Sequence, residues 1–252
     1  MAKILAVANQ KGGVGKTTTA INLGAALGAL EQRVLLVDCD PQGNATRGLG
    51  VETVAPHLYH VLMDGVPLAG VVRDSGFPGL AVVPADRDLV GAEVELTGID
   101  GWERRLQEAL VPVADDYDVV LIDCPPSLGH LTVGALVAAD RVLVPLQCEY
   151  FALEGLSDLV STVHRIRGSL NPRLQIAGIV LTMYDERTNL SRDVAAEVRR
   201  HFAEQVYDSV VPRNVRLAEA PGFGVPVLEH DIKSRGAEAY LAIAREFLRR
   251  AA

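Results

Sequence analysis

Apolar residues fall in short, nearly unbroken runs that alternate with longer stretches of helical periodicity. The runs are KILAVAN (3–9), RVLLVDCD (33–40), LAVVPA (80–85), YDVVLIDCPP (117–126), DRVLVPLQ (140–147), LQIAGIVLTMY (174–184) and VYDSVVP (206–212). They lack the strict alternation of a half-exposed strand, which is the pattern of strands covered on both faces. Helical spacing falls over 16–30, 86–97, 101–113, 129–139, 152–169, 189–203 and 235–250. This alternation predicts an α/β fold: a doubly wound, mostly parallel sheet in a single domain spanning 1–252. Ligands of such sheets sit at the carboxyl ends of the strands.

Composition adds a well-filled core, with 49% hydrophobic residues and a mean hydropathy of +0.20 in 252 residues. No apolar run approaches the roughly 18 residues of a membrane span, and the opening MAKILAVANQ is too short for a signal peptide. The expectation is a cytoplasmic protein. Cys39, Cys124 and Cys148 lie in or beside predicted strands without C-x-x-C spacing, as core thiols of a reducing compartment do. A net charge of −8 argues against nucleic acid as a partner of the whole surface. The charge is uneven, however. Residues 185–252 hold 11 Lys+Arg and 11 Asp+Glu, so the first 184 carry the entire deficit and a local basic patch remains open.

Chemistry enters at NQKGGVGKTT (9–18). The strict phosphate-loop pattern G-x-x-x-x-G-K-[ST] requires glycine at 10, where Gln10 stands; one residue on, the loop carries an extra lysine, Lys11. A strand precedes the loop and a good helix follows, which is the context the motif needs. Gly12, Gly13, Val14 and Gly15 would curl their N–H groups around an anion, and the start of the helix adds its positive dipole end. Lys16 would reach the β- and γ-phosphates, Thr17 would ligate Mg²⁺ and Thr18 would hold the α-phosphate. Two strand ends supply carboxylates: Asp38 and Asp40 in VLLVDCDPQGNAT, and Asp123 in VVLIDCPPS. Asp123 has the form of a Walker B aspartate, four apolar residues and then Asp, and would hold a magnesium-bound water. Asp40 is placed to activate the attacking water and is a further candidate for the metal.

With the loop, DCDPQGNAT and DCPPS in hand, the chain resembles the ParA/Soj chromosome- and plasmid-partitioning ATPases. These belong to the deviant-Walker group of P-loop NTPases, with MinD and the nitrogenase iron protein. PLQCEYFALEGL (145–156), RTNL (187–190), VPRNVRLAEAP (211–221) and SRGAEAYL (234–241) extend the likeness nearly end to end. The resemblance implies an ATP- and Mg²⁺-dependent ATPase whose catalytic residues are Lys11, Lys16 and Asp40, Lys11 crossing to the nucleotide of a second copy in a homodimer that sandwiches two ATPs. It implies that Pro212 packs on adenine, that Asn214 bonds its edge, and that Met183 also approaches the base. It ties Arg187 and Arg216 to non-specific double-stranded DNA, with Arg199, Arg200, Lys233 and Arg235 as extensions. It implies release triggered by a ParB-type partner and a nucleoid location without membrane. Departures are Val225 where relatives carry lysine, Arg47 where a small residue is common, and His130 where leucine is common. An N-terminal helix-turn-helix domain is not expected. Alternatives are a MinD-like membrane-cycling ATPase, which needs an amphipathic tail, and an enzyme sharing the loop, such as a dethiobiotin synthetase or an iron–sulfur ATPase.

Overall fold

A computed structural model describes residues 2–251. Its strands are β1 (Lys3–Val7), β2 (Val34–Asp38), β3 (Arg73–Asp74), β4 (Leu80–Val83), β5 (Val119–Asp123), β6 (Arg141–Gln147) and β7 (Gln175–Thr182). They form one sheet in the order β3-β4-β2-β5-β1-β6-β7, parallel except for β3. The helices are α1 (Lys16–Ala29), α2 (Asn44–Gly48), α3 (Leu58–Asp64), α4 (Leu89–Glu95), α5 (Arg105–Leu110), α6 (His130–Ala138), α7 (Ala152–Ser169), α8 (Asn189–Phe202), α9 (Val215–Glu219), α10 (Val227–His230) and α11 (Arg235–Ala251).

The continuous apolar runs have the predicted cause. Successive side chains of a strand point to opposite faces, and here both faces are covered. Leu5, Leu36, Leu121 and Val180 pack under α1 and α11, whereas Ala6, Leu35, Ile122 and Val144 pack under α4 to α8. Among the described residues no helix is long and apolar enough to cross a membrane. The apolar face of α11, through Ala237, Tyr240, Ile243 and Phe247, is spent against α1, and Tyr240 meets the Thr19 hydroxyl at 3.1 Å.

Some expectations need correction. VYDSVVP is not a strand; it meets β7 at an isolated bridge between Ile179 and Val206 and through the Val211 amide, which donates to the Leu181 carbonyl at 2.8 Å, and bridges again beyond β7 between Tyr184 and Pro212. Between them the Asp208 and Ser209 amides turn away to the buried Glu246 carboxylate, at 2.9 and 3.1 Å. The helix over 101–113 is broken into α5 and flanking 3-10 turns, with Pro112 in the second turn. The edge strand β3 and the short helices α2, α3, α9 and α10 gave too few periods to be read. Glu246 also binds Arg250 at 2.6 Å. Glu246→Ala is expected to cost on the order of 2–4 kcal/mol, because two amides and a cation lose their acceptor. A melting temperature lowered by less than about 3 °C would show that water replaces the carboxylate.

Candidate active site

β1 delivers residues 8–15 to the carboxyl end of the sheet, where the loop turns into α1. Gly13 and Gly15 take φ of +76° and +89°, a region that side chains disfavour, and so permit the turn. Three hydrogen bonds brace it. Asn9 Nδ2 donates to the Pro145 carbonyl at 2.8 Å, the Lys11 amide donates to Asn9 Oδ1 at 3.0 Å, and the Thr182 hydroxyl donates to the Val14 carbonyl at 2.8 Å. Lys16, 7% exposed, spans the loop and donates to the Lys11 carbonyl at 3.1 Å. Burial lowers its pKa, opposed by Asp123, Cys124 and Asp40.

The carboxylates converge beside Lys16 as predicted. Parallel pairing sets Asp38 of β2 opposite Asp123 of β5. Asp38 accepts the Thr46 amide and hydroxyl at 2.8 and 2.7 Å and the Asp40 amide at 3.2 Å. Burial nevertheless pushes its pKa up to about 6. Asp40, 7% exposed, accepts the Gln42 amide at 2.9 Å. Asp123 is fully buried, and neither of its oxygens has a partner at hydrogen-bond geometry. Burial first, then the Asp38 charge, raises its pKa well above the carboxylate range, while the neighbouring Thr17 hydroxyl and Lys16 pull the other way.

A buried carboxylate without a partner at full hydrogen-bond geometry, beside the Thr17 hydroxyl and two further aspartates, is an oxygen donor set that suits Mg²⁺ held jointly with phosphates. A dication there would relieve the burial penalty directly. Thr17 and Asp123 could hold such an ion, with Asp40 close by.

Met183, Pro212 and Asn214 line one cavity of about 210 Å³ that also includes Gly15 and Thr18, so the residues expected at adenine adjoin the loop. Asn214 Oδ1 accepts the Arg216 amide at 2.8 Å and caps α9. The side chain of Lys11 is 36% exposed and its ammonium lies 3.0 Å from Glu149. The two expected DNA arginines are not bare. Arg187 grips Asp185 through two bonds of 2.8 and 2.7 Å, and Arg216 binds Glu219 at 2.8 Å and Asp231 at 3.3 Å. Of the extensions, Arg199 donates to the Tyr207 and Asp208 carbonyls and Arg200 pairs with Glu197. Arg235 lines a larger cavity of about 610 Å³ with Arg187 and Arg213.

Sequence reasoning missed Glu149, Thr46 and Arg213. Thr46 and Glu149 lie inside the quoted strings DCDPQGNAT and PLQCEYFALEGL, which carried no sign of their partners. Arg213 lies inside VPRN and borders both cavities, so its position was legible even though its role was not. His130 now has an account. Its ring packs edge-on against Trp102 at 4.5 Å, while Glu93 accepts the His130 and Leu131 amides at 2.8 and 3.2 Å and caps α6. Glu93 comes so close that a Cβ at Gly129 would lie 2.5 Å from its oxygen. All three cysteines are free and buried, as expected of core thiols.

Comparison with known proteins places this geometry in a family. A profile for the AAA domain matches residues 2–176. The chain is 57% identical to the chromosome partitioning protein ParA of Caulobacter vibrioides, covering 98% of this chain and 94% of that protein. It is 52% identical to the sporulation initiation inhibitor protein Soj of Bacillus subtilis, with 98% of each covered. A crystal structure of a Mycobacterium smegmatis protein described as cobyrinic acid a,c-diamide synthase, with bound ADP and magnesium, superposes with a TM-score of 0.87 at 40% identity, covering 100% of this chain and 96% of that one. The higher identities lie with the partition proteins. The chain belongs to the ParA/Soj family of chromosome-partitioning ATPases, P-loop proteins that use ATP and Mg²⁺.

Proposed function

We propose that the chain is one ATPase domain that works as a DNA-partitioning switch on nucleoid DNA in the cytoplasm. In this reading Lys16 and the N–H groups of Gly12 to Thr18 hold the phosphates, while Met183, Pro212 and Asn214 receive adenine. Asp40 takes the proton of the attacking water. Mg²⁺, when bound through Thr17 and Asp123, supplies charge neutralisation at the β- and γ-phosphates. Lys11 serves the other copy. One observation carries this division of labour: Lys16 is buried across its own loop, whereas the Lys11 side chain is partly exposed and its ammonium pairs, among the described residues, with Glu149 alone. An exposed ion pair of that kind is worth about 0–1 kcal/mol, so Lys11 can exchange Glu149 for a second copy's γ-phosphate at little cost. Loss of that phosphate removes its new partner and the dimer parts.

The same exchange applies to DNA. Arg187 and Arg216 sit in exposed pairs with Asp185 and Glu219, and phosphates can displace those carboxylates. Binding through phosphates alone reads no sequence. Two patches brought together by ATP would overcome the −8 charge of each copy. A ParB-type partner would stimulate hydrolysis and release, as the family resemblance suggests.

Light scattering with ATP, together with DNA binding with ATP, ADP and no nucleotide, tests the reading. The wild type is expected to dimerise and bind DNA with ATP alone. Lys11→Ala should still bind nucleotide yet remain monomeric and release DNA. A dimeric Lys11→Ala, or equal DNA binding in all three nucleotide states, defeats it.

A further inference from the structure

The turn that follows β4 carries a second group of ligating side chains, which neither the phosphate loop nor the arginine surface uses. His57, just before α3, and Asp86 and Asp88, leading into α4, each bring a donor atom to within 4.8 Å of the others. His57 Nε2 lies 3.7 Å from Asp86 Oδ1 and 3.6 Å from Asp88 Oδ2, longer than a hydrogen bond to either. The residue is 2% exposed, and its Nδ1 meets the His60 amide in the capping box of α3 without reaching full hydrogen-bond geometry. Nε2 is the nitrogen that faces both carboxylates, and it is the ligand atom the group offers. Burial lowers the His57 pKa, against the pull of Asp86.

We propose that His57, Asp86 and Asp88 bind a divalent transition-metal ion of the zinc or manganese type, with the remaining position open to water. One imidazole nitrogen and two carboxylate oxygens with an open fourth place are a set that such ions take. Ligands about 2.1 Å from a tetrahedral ion lie about 3.4 Å apart, so the two separations from His57 must close by only a few tenths of an ångström, and the Asp86 and Asp88 oxygens start within 4.8 Å of each other. The Asp86 and Asp88 side chains are 34% and 62% exposed, which leaves a way in. The imidazole distinguishes this set from the all-oxygen donors at Asp123, which suit Mg²⁺.

The position gives the ion a structural consequence. The Leu58 amide donates to the Pro84 carbonyl at 3.0 Å, and the Ala85 amide donates to the Thr46 hydroxyl at 3.0 Å. That hydroxyl donates in turn to Asp38 at 2.7 Å. An ion joining His57 to the 86–88 turn therefore braces the strand end that carries the site carboxylates.

Calorimetric titration of zinc chloride into the full chain, without nucleotide and with millimolar Mg²⁺ present, tests the proposal. The wild type is expected to bind one equivalent. His57→Ala and Asp88→Asn should weaken binding at least about tenfold, while Asp123→Asn should leave it unchanged. Asp88→Asn alters a mostly exposed side chain, so lost binding there does not reflect lost folding. Equal isotherms for wild type and Asp88→Asn, or loss of the isotherm in Asp123→Asn, overturn the assignment.

Discussion

Asp40→Ala is expected to slow ATP turnover by on the order of 10²–10³-fold while ATP stays bound and the dimer accumulates. The magnitude is that of a positioned general base. The turn after β2 holds the carboxylate in place: Oδ1 takes the Gln42 amide, and among the described residues no donor reaches Oδ2, which is left for a water. The change removes neither Lys16 nor the loop amides, so binding should survive. On the proposed reading, nothing then discharges the γ-phosphate that Lys11 would grip across the dimer. Phosphate release and light scattering on the same sample check both halves. Turnover within a factor of about three of wild type would remove Asp40 from the chemistry.

Asp123→Asn should have opposite effects on stability and on hydrolysis. Asp38 and Asp123 are both held above their unfolded pKa values. The native state therefore binds protons more tightly than the unfolded chain, and stability of the nucleotide-free protein falls as pH rises from about 4 through about 6. The loss persists at neutral pH. For Asp38, moving from 3.8 to about 6 corresponds to on the order of 3 kcal/mol. An amide at 123 carries no charge to bury, so the nucleotide-free variant should melt about 3–8 °C higher than wild type at pH 7.5, the counterpart of on the order of 1–3 kcal/mol. It should gain little further stability from Mg²⁺ with ATP, and hydrolysis should drop by about 10²-fold or more. The wild type, conversely, should show a large Mg²⁺-dependent stabilisation that shrinks as pH falls towards 6. If nucleotide-free Asp123→Asn melts below wild type, the carboxylate is satisfied in a way that its unpartnered oxygens do not indicate.

Much of the site could be read from the chain because its parts are contiguous. A phosphate loop is a local object: glycines that permit left-handed turns, a lysine and a hydroxyl follow one another within ten residues. Strand ends are equally local, so Asp38, Asp40 and Asp123 could be set at the carboxyl edge before the pairing of β2 with β5 was known. The edge segment 206–212 failed for the complementary reason. Its apolar pattern says strand, but a carboxylate 38 positions away in α11 takes the amides that the sheet needed. Likewise nothing near Lys11 in sequence announces Glu149, and nothing near His57 announces Asp86 and Asp88.

By itself the sequence determined the doubly wound sheet, the loop, the two acidic strand ends and the family, since periodicity and short motifs depend on neighbours along the chain. Only the tertiary structure decided which charges are compensated. It ties Lys11, Arg187 and Arg216 to carboxylates, leaves Asp123 bare in the interior, and gathers His57 with two aspartates. Pairing and desolvation depend on distances of a few ångströms between side chains that the folded chain brings together, and no spacing along the chain encodes those.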